Sequence, residues 1–188
     1  MIKKGKAMSG FVEIIPLFGI RIGEKTVTLG EPKGGVERDL GLPSFSNEHR
    51  CSFFEGALRV NISEFGLVEA IAFPFGAHSE LLPTVYGRSV FGDNADEITA
   101  LLKEKNGGDF RTDEDGYFYC FHMLGVRLTR DTVPKDVEKM IRMTEGTKNP
   151  MRPEDIAFEM NRAEHWELIE IAEKGYYPVS PASSAPSS

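Results

Sequence analysis

The chain has 188 residues, 40% hydrophobic and 27% charged, enough for one ordinary domain or two small packed halves and too apolar to stay disordered. Its formal net charge of −7 and sequence pI near 5.2 exclude a general nucleic-acid binder. Such a protein needs a surplus of Lys and Arg to displace counterions from phosphates. An acidic surface instead attracts a basic partner, or simply keeps the protein soluble.

Residues 1–11, opening MIKKGK, read as an N-terminal arm ahead of a globular domain over 12–177. The run FVEIIPLFGIRIG is broken by Glu13, Pro16 and Arg21 and is far short of a bilayer span. Two cysteines do not make a disulfide framework, so the expected location is the cytoplasm, away from the membrane. Between Val12 and Ile22, Pro16 rules out a long helix, and the alternation of Phe18, Ile20 and Ile22 predicts a strand. Gly30 to Pro43 is punctuated by glycine and proline, leaving Val36 to Leu42 for a turn or two of helix. Arg50 to Phe54, Ala57 to Ser63 and Leu67 to Phe73 then predict three strands joined by short turns, an antiparallel meander. In the second, Leu58, Val60 and Ile62 alternate strictly with Arg59, Asn61 and Ser63, the mark of a strand with one wet face.

Pro74 to Thr84 reads as a connector. Asp93 to Asn106 predicts a helix, capped by Asp93 or Asn94, with Asp96 and Glu97 in its first turn and Lys103 and Lys105 in its last. Ala95, Ile98, Leu101 and Leu102 form its apolar stripe. Tyr117 to Phe121 and Val126 to Arg130 predict strands joined around Leu124-Gly125. Pro134 to Thr144 predicts a second helix, with Val137, Met140 and Ile141 facing inward, and Thr147 to Pro153 a loop. Asp155 to Ile171 reads as a hairpin turning near Arg162-Ala163-Glu164, with a helix over Glu154 to Ala163 as the alternative. From Pro178 the segment PVSPASSAPSS reads as a solvated tail over 178–188.

Two intervals recur. Gly23 to Cys51 and Gly92 to Cys120 are both 28 residues, and each cysteine lies five residues before a glycine, Gly56 or Gly125. This spacing suggests internal duplication into halves of about 12–82 and 83–177. The expected fold is α+β, an antiparallel sheet with helices packed on one face, in two pseudo-repeated halves.

GIRIGEKTVTLGEPKGGVERDLGLP resembles the opening of a group of small bacterial proteins, and the second half is more similar still. GRSVFGDNADEITALL, YFYCFHMLGVRLTRD and HWELIEIAEKGYY are similar to that group's second helix, its central hairpin and its closing strand ending Lys-Gly-Tyr-Tyr. These are tandem-repeat proteins related in fold to the β-lactamase-inhibitor protein, often immunity partners in bacterial toxin systems. The resemblance implies a binding protein, not an enzyme, whose partner is a cognate toxin. The first copy departs from the group's pattern in lacking a well-formed helix, and Pro134 to Pro153 looks like an insertion.

Few residues invite chemistry. His49-x-Cys51 and Cys120-x-His122 each put a thiol and an imidazole on one strand face, and four such ligands would suit zinc if the pairs met. Without Cys-x-x-Cys spacing the cysteines read as small buried hydrophobes, and neither metal nor cofactor is expected. Cys120 and His122 stand too far apart along a strand for direct activation of the thiol. The acidic turn Asp113-Glu114-Asp115-Gly116 is either solvated or a partner contact. With Tyr117 and Tyr119 it would match a basic active-site rim, and Tyr176 and Tyr177 are further candidates for the contact.

Overall fold

Period-two alternation of buried and exposed side chains builds the first three strands. In β1 (Gly10–Ile15) Val12 and Ile14 are buried while Phe11 and Glu13 face out. A turn through Pro16 leads to β2 (Gly19–Ile22), and β3 (Lys25–Thr28) follows a second turn. Helix α1 (Lys33–Leu40) buries Val36 and Leu40. The meander expected next is present as β4 (Phe45–Ser46), β5 (Arg50–Phe53), β6 (Leu58–Ile62) and β7 (Val68–Pro74), all antiparallel. Then come β8 (Leu81–Val85), β9 (Arg88–Ser89), α2 (Ala95–Lys105), β10 (Arg111–Thr112), β11 (Phe118–Phe121) and β12 (Val126–Thr129). Helices α3 (Pro134–Thr144) and α4 (Pro153–Ala163) precede the last strand, β13 (Leu168–Ala172). The computed structural model describes residues 10–75, 81–108 and 110–178. Most of the expected arm (1–9) and tail (179–188) therefore lie outside the described residues.

The fold is α+β, with two mostly antiparallel sheets instead of the single one expected. The smaller runs β3-β2-β1-β8-β9, and its β1–β8 pair is parallel. The larger runs β10-β11-β12-β13-β7-β6-β5-β4, so the last strand in the chain lies between β12 and β7. Side chains from both sheets, α1 and α2 share one buried cluster that includes Val12, Ile20, Val36, Val60, Ile98, Leu102, Leu128 and Ile169. Trp166 closes it, buried, with its indole N–H donating to the Ala95 carbonyl at 3.1 Å. Among the described residues no helix is long and apolar enough to cross a membrane.

Three segments differ from expectation. Leu81–Val85, within the expected connector, is a strand beside β1. Residues 76–80 of that connector lie outside the described residues. The segment read as a hairpin takes the alternative reading, a helix: α4 runs Pro153–Ala163, with Glu154 and Asp155 in its first turn, and is followed by β13. In α3 only Val137 is buried, whereas Met140 is 37% exposed. Four strands of the large sheet follow α1 and four follow α2, but α3 and α4 interrupt the second set, and the expected pseudo-repeat is not confirmed. Side-chain roles do not recur either. The register places Cys51 in a row with Val60, Ile71, Ile171, Val126 and Phe121 on the core side, and Cys120 on the opposite face.

Candidate functional site

The face of the large sheet turned away from the core is the candidate site. Strand register aligns one row of side chains across all eight strands: Arg111, Cys120, Arg127, Glu170, Ala72, Arg59, Ser52 and Phe45. In the next row Arg50 stands beside Asn61. Arg50, Arg59, Arg111 and Arg127 are exposed, and none forms an ion pair with another described residue. Arg111 and Arg127 both lie 5.9 Å from the Phe118 ring centre.

Tyr176 and Tyr177 follow β13 and return over the middle of this face. The Tyr177 hydroxyl donates to Glu170 Oε1 at 3.0 Å, and the two rings meet edge to face at 5.2 Å. Burial first, then the Glu170 carboxylate, drives the Tyr177 hydroxyl well above its ordinary titration range. Tyr176 stays 40% exposed, with the Asn61 side chain close by. Cys120 is 5% exposed, and its Sγ lies 3.8 Å from His122 Nδ1, within hydrogen-bond reach of a sulfur and closer than strand spacing alone predicts. Burial pushes its thiol up to about 11 against the opposing pull of Arg127 and Arg111. A thiol held neutral is a poor nucleophile.

The other candidate residues do not join this face. Asp113 Oδ1 accepts the Gly116 and Tyr117 N–H groups at 2.7 and 2.9 Å, so it builds the turn from β10 to β11. Asp115 pairs with Lys135. The Tyr117 hydroxyl donates to Asp136 at 2.8 Å in the first turn of α3. Tyr119 lies on the core side, edge to face with Trp166 at 5.7 Å and beneath the Lys103 amine at 4.9 Å. Only Glu114 is both exposed and without a described side-chain partner in that turn. The turn adjoins the Phe118 end of the sheet, whereas β13 leaves at the other end.

The zinc arrangement does not form. Cys51 and Cys120 are buried on opposite faces, and His49 is exposed. No group of three His, Cys, Asp or Glu among the described residues could hold a metal ion. A second surface feature, not foreseen, is an open cleft of about 660 Å³ between α3 and α4, lined by Met140, Met143, Met151 and Phe158. The arginines were also missed. Arg59 and Arg127 each sit between buried neighbours in sequence, which marks them as wet positions, but nothing in the sequence aligns them.

No known family, curated protein or solved structure matches this chain.

Proposed function

We propose that this chain is a cytoplasmic binding protein, without catalysis of its own, that neutralises a cognate bacterial toxin by direct protein–protein contact. One observation carries the contact: a sheet face eight strands wide that leaves Arg59, Arg111, Arg127 and Tyr176 exposed. A sheet face bearing exposed Arg and Tyr has the composition of a protein interface. The toxin assignment rests on the sequence likeness around the Leu-Gly hairpin and the Lys-Gly-Tyr-Tyr closure. Mixing the protein with the product of the adjoining gene should give a stoichiometric complex on size exclusion and abolish that product's toxicity. Two separate peaks with toxicity intact would refute the reading.

The rival is a peptide-binding adaptor, favoured by the methionine-lined cleft between α3 and α4. Flexible Met side chains repack around varied partners. Loss of binding on Phe158→Ser, with arginine variants unaffected, would support it.

A further inference from the structure

We infer that the open face of the large sheet recognises an acidic protein surface, through Arg59, Arg111 and Arg127, with Tyr176 on the same face. The inference rests on the reading of this face as the partner contact, and it names the chemistry of the partner. It reverses the expectation of a basic partner drawn from the net charge of −7. Net charge averages the whole surface, whereas an interface responds to the charges within about 8 Å of it at physiological salt.

The geometry sets the pattern to be matched. Strands lie about 4.8 Å apart, so Arg127 and Arg111, two strands apart, stand ~10 Å from each other. Arg127 and Arg59, three strands apart, stand ~14 Å from each other. Their guanidinium groups have no ion-pair partner among the described residues, so each is free to take a carboxylate in a two-pronged bond. Phe118 underlies Arg111 and Arg127, and Tyr176, 40% exposed, lies on the same face near Arg127.

The charged and titratable groups facing the row are few. Glu170 stands opposite Arg127 in register and accepts from Tyr177, and Glu69 lies near Tyr176; neither comes within ion-pair distance of an arginine among the described residues. His122 lies at the Cys120 end. This mixture disfavours nucleic acid. A continuous run of phosphates would have to cross Glu170 in the centre of the row. A protein can set its carboxylates over the arginines and leave an uncharged group over Glu170.

The test uses the full chain with two labelled probes at 150 mM salt: a twelve-residue peptide of alternating Glu and Tyr, and a twelve-nucleotide single-stranded DNA. The peptide should bind saturably, shift backbone amide signals of β6, β10 and β12, and weaken as salt rises. The double variant Arg59→Glu/Arg127→Glu should lose about tenfold or more in affinity. The neutral pair Arg59→Gln/Arg127→Gln should fall between, and unchanged thermal melts would show that both variants fold. Absent saturation, equal binding by the variants, or tighter binding of the DNA would each overturn the inference. A complex with the adjoining gene product that ignores both arginine variants would sink the arginine inference and leave the binding-protein reading standing. Peptide binding at the arginines with no such complex would do the reverse.

Discussion

At Gly125 the main chain has no room for a side chain. Its φ is +58°, and a Cβ built there would lie 2.3 Å from the Ala172 carbonyl oxygen of the neighbouring strand. Gly125→Ala should therefore lower unfolding stability by roughly 1–3 kcal/mol, read as a shifted urea midpoint. An unchanged midpoint would mean that the β11–β12 turn relaxes freely. Cys120 makes a prediction in pH. Its thiol is held neutral up to about 11, above the free value of about 8.5. The stability gained by keeping it neutral is complete below the free value and declines as pH rises through the folded one. Wild type should lose stability across that window, and Cys120→Ala should lose less. Parallel curves for the two proteins would contradict the assignment. The sequence showed that Cys120 and His122 share a strand face. It could not show that Cys51 faces the other side, because strand direction alone does not say which face meets the core.

Helix α3 begins where its sequence says it should. Pro134 sits in the first turn, and Asp136 Oδ2 accepts the Val133 N–H at 3.0 Å. That bond, followed by the Tyr117 hydroxyl, holds the Asp136 carboxyl below the usual carboxylate range. Its contribution is complete above the ordinary carboxylate value and is lost as pH falls through the lower folded one. Asp136→Ala should destabilise the protein by about 1 kcal/mol at neutral pH and by less in acid. Equal loss at both pH values, measured by denaturant melts, would argue against the cap. Helix α2 was equally legible, since Asn94 caps it and its charges follow the helix dipole. Strand β8 was hidden by Pro83, a residue that ordinarily argues against a strand. Helix α4 was masked by Ile156, Phe158 and Met160, whose chance alternation imitates a strand. Phe158 is 68% exposed, so that alternation marks no buried face. The segment carrying Tyr176 and Tyr177 is a short cover over Cys120 and Glu170. Ending the chain at Gly175 should make Cys120 react with a thiol reagent in the native protein. Continued protection would show that the sheet itself shields the sulfur.

For the molecule as a whole, the sequence indicated α+β and the local meanders, because alternation and turn chemistry act over a few residues. It could not indicate which meander edge meets which, nor that β1 and β8 leave to form a second sheet. The arginine row depends on that missing information. Its members are 16 to 68 positions apart in sequence and become neighbours only through strand order. The position of β13 has a further consequence for biogenesis. While the chain is being made, β7 and β12 both emerge before the strand that joins them. Each then presents a bare hydrogen-bonding edge to solvent, the geometry that invites pairing between nascent chains. Closure waits on a contact between segments about a hundred residues apart, such as Ile71 with Ile171, and such distant pairing is slow. Translation that stalls before Leu168 should therefore leave a polypeptide that aggregates, even though nearly all its strands have already been synthesised.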